Sequence, residues 1–213
     1  MYTEPARYRG VAAALALCAA LGACSGRKQV ATTDTTATSA QGAKTGGNTL
    51  DTTAAGGAIS GNWTDASIFA YLTAANNGEI AEGSLAEHMA TSPAVKAFAQ
   101  KMVSDHKKLL QQGKSLATKL NVTPDTTKRD VSDLRDDAKN AVKDLSKQQR
   151  GADWDRTYID KQVDAHQKVI DHVNDFIKSA QNTQLRDMLQ QALPKLQQHL
   201  ASAKDIKDNK LKS

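Results

Sequence analysis

Residues 92–120 read SPAVKAFAQKMVSDHKKLLQQGKSLATKL, and this stretch predicts a long helix with one apolar face. Ser92 is expected as its N-cap and Pro93 as its first residue, a position where helices accept proline. His106 lies within the apolar stripe. The other stripe residues recur every three or four positions, as one face of a helix requires: Val95, Phe98, Ala99, Met102, Val103, Leu109, Leu110 and Leu116. Such a helix is stable in water only when its stripe packs against other elements.

Three further stretches show the same spacing, at about 65–90, 153–180 and 184–209. Thr64 is the expected N-cap of the first helix. Pro194 should kink the fourth helix without ending it, because the apolar spacing continues beyond the proline. Short turns follow the first and third helices, so each should pack antiparallel to the helix after it.

The connection at 121–152 is too long for a turn and carries its own narrow stripe, which includes Val131, Leu134 and Leu145. A helix of about 20 residues there would span roughly 30 Å. Two hairpins joined by one long connection predict an all-α fold, a ferritin-like four-helix bundle with a long helical crossover between helices two and three. A plain up-and-down bundle with an elaborated loop is the competing topology.

The N-terminus has the pattern of an export signal. Arg7 and Arg9 precede an apolar run that is too short to span a membrane. Leu21-Gly22-Ala23-Cys24 resembles the lipobox of bacterial lipoproteins, in which the cysteine is lipidated and becomes the first mature residue. We therefore expect residues 1–23 to be a lipoprotein signal peptide. An ordinary secretory signal, cleaved near the same place, is the alternative.

Cysteine usage agrees with an anchoring role for Cys24. Cys18 would be discarded with the signal, which leaves Cys24 alone and excludes an internal disulfide or a cysteine-based metal site. The resemblance to envelope lipoproteins, with Ser25 after the cysteine, implies an exported protein anchored in the cell envelope, at the periplasmic face of the outer membrane. The expected partner is thus the membrane, and no protein partner is indicated.

Composition divides the mature chain into two parts. Residues 24–62 are mostly Ala, Thr, Gly and Ser, which predicts a disordered tether with a reach of roughly 35 Å. Residues 63–213 are charged, poor in glycine and regularly apolar, as expected for the helical bundle domain. The net charge is +5, but its signs alternate along the helices without a basic block. A solvated helical surface explains this pattern better than a nucleic-acid interface.

Ligand-type side chains occupy the apolar stripes at a common height. His106, His166 and His199 lie in helices two, three and four, and Glu79 lies in helix one, each 13 to 15 residues after the expected helix start. In parallel or antiparallel helices of similar length, these positions meet at mid-height. The four residues predict a site for a divalent transition metal such as Zn, Fe, Mn or Cu. Reserve ligands are Glu82 and Asp105, whereas His88 and His172 flank their stripes and are expected in solvent.

The alternative is a structural or stress-related envelope protein whose buried His–Glu hydrogen bonds only specify the fold. A redox enzyme is disfavoured, because ferritin-like di-iron sites use Glu-x-x-His. Val103, Val163 and Leu196 stand three residues before the histidines instead. No phosphate loop or nucleophile elbow occurs in the domain, so the sequence favours no catalytic activity.

Several stretches of the domain resemble a bacterial family of ferritin-like envelope proteins, domain-of-unknown-function family 4142. They are Ala75-Asn76-Asn77-Gly78-Glu79-Ile80, the run from Ser92 to His106, the run from Tyr158 to His166, and Ala192 to Leu200. These stretches include Glu79 and the three stripe histidines. The resemblance implies the bundle fold and the envelope location, and it implies no activity.

Overall fold

The computed structural model describes residues 62–211, and this part of the chain is entirely helical apart from its turns and connections. The helices are α1 (Asp65–Met89), α2 (Pro93–Lys119), α3 (Arg129–Lys147), α4 (Ala152–Ser179) and α5 (Thr183–Asp205). A π-helical turn (Ile206–Lys210) continues α5. The predicted all-α class is confirmed. The expected signal peptide, the expected lipidation site at Cys24 and nearly all of the predicted tether lie outside the described residues.

The helix boundaries follow from local signals in the sequence. The Thr64 hydroxyl accepts a hydrogen bond from the Ser67 backbone N–H at 3.2 Å, and the Ser67 hydroxyl accepts one from the Thr64 backbone N–H at 3.0 Å. This reciprocal capping box confirms Thr64 as an N-cap. Pro93 begins α2 as predicted, and α5 continues through Pro194. The connecting stripe forms α3, with Val131 and Leu145 buried.

Two aspartates link the hairpin of α1 and α2 to the hairpin of α4 and α5 by hydrogen bonds. Asp155, in the first turn of α4, accepts hydrogen bonds from the backbone N–H groups of Thr91 (3.0 Å) and Ser92 (2.7 Å), between α1 and α2. Asp65, the first residue of α1, accepts two from backbone N–H groups between α4 and α5, at 2.9 and 3.0 Å. Each hairpin thus satisfies exposed amides at the turn of the other. These ties set the relative height of the four helices.

Helix α1 lies at the centre of the packing, against α2 on one side and α3 on another. Glycines allow both close approaches. A Cβ atom added at Gly83 would lie 2.9 Å from Val103 of α2, and one added at Gly78 would lie 2.9 Å from the Cβ of Ala138 in α3. Larger residues at these positions would push the helices apart.

Two apolar cores fill the domain, one near each end. The first includes Trp63, Phe69, Tyr71, Val173 and Phe176, and the second includes Phe98, Leu145, Trp154, Tyr158 and Ile159. In α1, α2, α4 and α5 the segment between the cores carries buried polar residues: Asn76, Glu79, Glu82, Asp105, His106, Gln162, His166 and His199. The helices therefore bring a polar layer to mid-height.

The two histidines outside this layer differ in environment. His88 is exposed, as predicted. His172 is half-buried, with its ring centroid 4.6 Å from that of Tyr71 and 5.7 Å from that of Phe176. The prediction of solvent exposure is wrong for His172, because the aromatic side chains of α1 and α4 cover the flank of its stripe. Among the described residues, no helix is long and apolar enough to cross a membrane.

Candidate metal centre

Three helices bring three histidines to one point in the polar layer. One ring nitrogen each of His106 (α2), His166 (α4) and His199 (α5) lies within 4.8 Å of one from each of the other two. The ring centroids are 5.3 to 5.6 Å apart, so the rings form a nearly equilateral triangle. All three side chains are almost fully buried. The predicted convergence of these histidines is confirmed.

The proton of His106 is positioned by Asn76 of α1. The Asn76 side-chain amide nitrogen donates to the backbone carbonyl of Leu72 at 2.7 Å, which turns the amide oxygen toward His106. His106 Nδ1 lies 2.9 Å from that oxygen and must donate to it. The lone pair of neutral His106 is therefore on Nε2, which is buried and has no hydrogen-bond partner within residues 62–211.

His166 is oriented by the backbone of its own helix. Its Nδ1 lies 2.9 Å from the carbonyl oxygen of Gln162, one turn earlier in α4. Since a carbonyl only accepts hydrogen bonds, Nδ1 carries the proton. The Nε2 atom keeps its lone pair, and the described part of the chain offers it no partner.

His199 is oriented by a carboxylate. Its Nε2 lies 3.0 Å from Oδ2 of Asp105, and the same oxygen accepts from Lys101 at 2.7 Å and lies 3.6 Å from Nζ of Lys195. Burial alone would raise the pKa of Asp105, but the hydrogen bonds from Lys101 and His199 and the charge of Lys195 hold it well below its usual range. Asp105 is thus ionised and fixes the proton of His199 on Nε2. Nδ1 is left with a lone pair and without a partner among the described atoms.

The three histidines consequently share one arrangement. Each donates one N–H to an oxygen atom of the protein and keeps a buried lone pair on its other nitrogen. Burial lowers the pKa of His166 and of His199 to about 4, and it lowers the pKa of His106 well below the usual value with the help of the two neighbouring rings. All three are neutral at physiological pH, which is the form that binds metals.

This arrangement differs from a self-satisfied polar layer. No hydrogen bond within the described residues joins two of the three rings or joins a ring to Glu79. In metal sites, by contrast, a ligating histidine almost always donates its other N–H to a carboxylate or carbonyl. Nitrogens around a tetrahedral zinc ion lie about 3.4 Å apart for bonds of about 2.1 Å. The ring nitrogens that lie within 4.8 Å of one another would have to approach by at most about 1.4 Å to reach this spacing.

The carboxylates predicted as ligands lie beside the group of three histidines. Glu79 Oε1 is 3.9 Å from Nδ1 of His166, the nitrogen that already donates to a carbonyl. Glu82 accepts a hydrogen bond from Gln162 at 3.4 Å. Burial raises the pKa of Glu79 to about 7, and burial together with the charge of Glu79 raises the pKa of Glu82 to about 8. Asp105 contacts His199 at Nε2, the nitrogen that carries the proton.

Sequence reasoning missed the residues that orient the rings. Asn76 and Gln162 are polar side chains at buried helix positions, one turn before Glu79 and His166 respectively. Their polarity within an apolar stripe was the available signal. Lys101 and Lys195 are half-exposed and look like ordinary surface lysines in the sequence. Only the fold shows that both meet Asp105.

A family profile described as "Domain of unknown function (DUF4142)" matches residues 48–206. No curated protein and no solved structure matches the chain. The profile match covers most of the chain, including α1 to α5 and every residue of the polar layer. It confirms the resemblance found in the sequence. The chain belongs to the DUF4142 family, whose function is not known.

Proposed function

We propose that this domain binds one divalent transition metal ion through His106, His166 and His199. The observation that carries the proposal is the cluster of three buried histidines, with one ring nitrogen of each within 4.8 Å of the others. Each of these histidines has one ring nitrogen without a hydrogen-bond partner among the described residues. An unpaired buried polar atom costs roughly 1–3 kcal/mol, so three at one point are difficult to explain as fold specification alone. A bound cation would satisfy all three at once.

The donor set narrows the choice of metal. Three imidazoles without thiolate or direct carboxylate suit zinc and copper better than manganese, which prefers oxygen ligands. Copper and zinc also bind nitrogen sites more tightly than iron(II) does. Three protein ligands leave a fourth coordination position open, as in zinc sites that also bind water or another ligand.

Calorimetric titration of the purified protein with Zn²⁺ tests the site. We expect one equivalent to bind, and we expect His106→Leu and His199→Leu each to abolish binding. His88→Leu is the matched control, because it removes an exposed histidine of α1 and should bind as the wild type does. Equal uptake by all four proteins would refute the site. No uptake by the wild type would favour the purely structural layer.

We also propose that the protein is an exported lipoprotein held at the periplasmic face of the outer membrane. The support is the lipobox-like sequence ending at Cys24. Lipoprotein-type multiple acylation binds membranes firmly, whereas one chain binds marginally. We expect the Cys24→Ala protein to be absent from the membrane fraction. A correctly cleaved Cys24→Ala protein that stays with the membranes would contradict the anchor.

For the fold, we propose that α1, α2, α4 and α5 form a ferritin-like four-helix bundle with α3 as its crossover. The support is the order of two hairpins around one long connecting helix. The crosswise ties made by Asp65 and Asp155 agree with two related hairpins. An experimental structure in which α3 does not run between the two hairpins would contradict this topology.

A further inference from the structure

A groove with an acidic lining lies between α1, α3 and α4. Its volume is about 500 Å³, and seven acidic side chains line it against two lysines. Glu79 and Glu82 come from α1, Asp164 comes from α4, and the other four come from α3: Asp130, Asp133, Asp137 and Asp144. Except for Glu79 and Glu82, these carboxylates are exposed at the mouth of the groove. We call this feature the acidic groove.

Glu79 lies between the acidic groove and two of the three histidines. Besides the groove, it lines a small cavity of about 50 Å³ together with His106 and His166. Glu79 is 7% exposed, and its Oε2 atom has no partner in the described part of the chain. A buried carboxylate oxygen without a donor, placed at the inner end of an acidic groove, is suited to a positive ligand.

The charge distribution favours small cations over other ligands. A narrow cleft lined by one sign of charge raises the local concentration of counter-ions and their rate of association, and it repels anions. Borderline divalent ions such as Zn²⁺ bind carboxylate oxygen as well as imidazole nitrogen. Imidazole nitrogens deeper in the domain then offer borderline metals a preferred ligand set.

We propose that the acidic groove is the access route for hydrated divalent cations, and that Glu79 with Glu82 forms a transfer site that holds the cation before it reaches the histidines. This inference rests on the proposed metal site. Glu79 binds the metal ion only on its way into the domain, and the three imidazoles are its final ligands. The cation exchanges bound water for oxygen atoms of Glu79 and Glu82, which release to solvent any proton they carry, and it then exchanges these oxygens for imidazole nitrogen. No redox step or co-reactant is needed.

Stopped-flow mixing of the full chain with Co²⁺, whose absorption reports nitrogen ligation, tests the route. We expect Asp133→Asn/Asp137→Asn to lower the association rate by about 3- to 10-fold at low ionic strength, and the difference to vanish in concentrated salt. Asp187→Asn/Asp205→Asn makes the same charge change on exposed positions of α5 and should leave the rate near that of the wild type. Equal rates for both double variants would overturn the route.

Glu79→Gln tests the transfer site. A residue on the path affects the association and the dissociation of the metal ion alike. We therefore expect Glu79→Gln to lower both rates by a similar factor, with little change in affinity. Faster release with unchanged arrival would instead make Glu79 a final ligand and would overturn the assignment, as would unchanged rates.

Mn²⁺ separates the two proposals, because it prefers carboxylate oxygen. In His106→Leu/His199→Leu, we expect Mn²⁺ to broaden the amide NMR signals of Gly78 and Ala138, which line the acidic groove. Adding Glu79→Gln and Glu82→Gln should remove that broadening. Failure of Co²⁺ binding in the wild type, with this broadening retained, would refute the three-histidine site but not the carboxylate site. Absence of the broadening would refute the carboxylate site.

Discussion

Asp105→Asn isolates the role of ring orientation, because the substitution keeps the shape of the side chain and removes its charge. The Asp105 carboxylate only accepts hydrogen bonds, so it holds the proton of His199 on Nε2 and the lone pair on Nδ1. An asparagine can present its amide N–H₂ group to Nε2. That contact would move the proton of His199 to Nδ1 and would remove the lone pair from that nitrogen.

Loss of such an outer hydrogen-bond partner typically lowers metal affinity 10- to 100-fold, or about 1.4 to 2.7 kcal/mol. We expect a reduction of this size, smaller than the complete loss in His199→Leu. Asp136→Asn is the matched control, because Asp136 also pairs with a lysine, Lys139 at 3.2 Å, but lies on the exposed face of α3. Its affinity should equal that of the wild type.

Competition titration with a chelator of known zinc affinity measures the difference, and ¹⁵N NMR of the imidazole nitrogens reports the tautomer. In the metal-free wild type, we expect His199 to be protonated on Nε2. The reasoning is refuted if His199 carries its proton on Nδ1 in the wild type, or if Asp105→Asn binds zinc as tightly as Asp136→Asn does.

Three further predictions follow from the burial and packing of the polar layer. Burial raises the pKa of Glu79 from 4.5 to about 7, so folding favours its protonated form. The stability that this contributes is fully present below pH 4.5 and is lost as pH rises through 7, which lowers the free energy of unfolding by about 3 kcal/mol. In denaturation experiments, Glu79→Gln should therefore lose less stability between pH 5 and 9 than Glu87→Gln does. Zinc affinity should stay level from pH 7 to about 5 and fall toward pH 4, because His166 and the other two rings have lowered pKa values; calorimetry showing a midpoint near 6.5 would contradict this. Gly78→Ala should lower the melting temperature and reduce the free energy of unfolding by about 1–3 kcal/mol, because the added Cβ meets α3. Gly113→Ala has open space around it and should raise the free energy of unfolding by up to about 1 kcal/mol.

The helices and the level of the histidines were predictable because both depend on local information. The Thr64 cap, the Pro93 start and the spacing of the stripes are features of neighbouring residues. Counting residues from each helix start then placed His106 and the other two at one height, since every α-helix rises by the same amount per residue. The acidic groove was not predictable, because its carboxylates belong to three helices and look like solvated surface in the sequence.

By itself the sequence determined the all-α class, the helix boundaries and the convergence of three histidines. The tertiary structure decided which nitrogen of each ring carries the proton and which keeps its lone pair. That choice depends on Asn76 in another helix, on the carbonyl of Gln162 and on the ion pairs of Asp105. It also decided that Glu79 lies beside the three rings instead of among them. Spacing along a helix sets the height and the approximate face of a side chain, but the rotation of each packed helix and its hydrogen-bond partners across the core set where the atoms point.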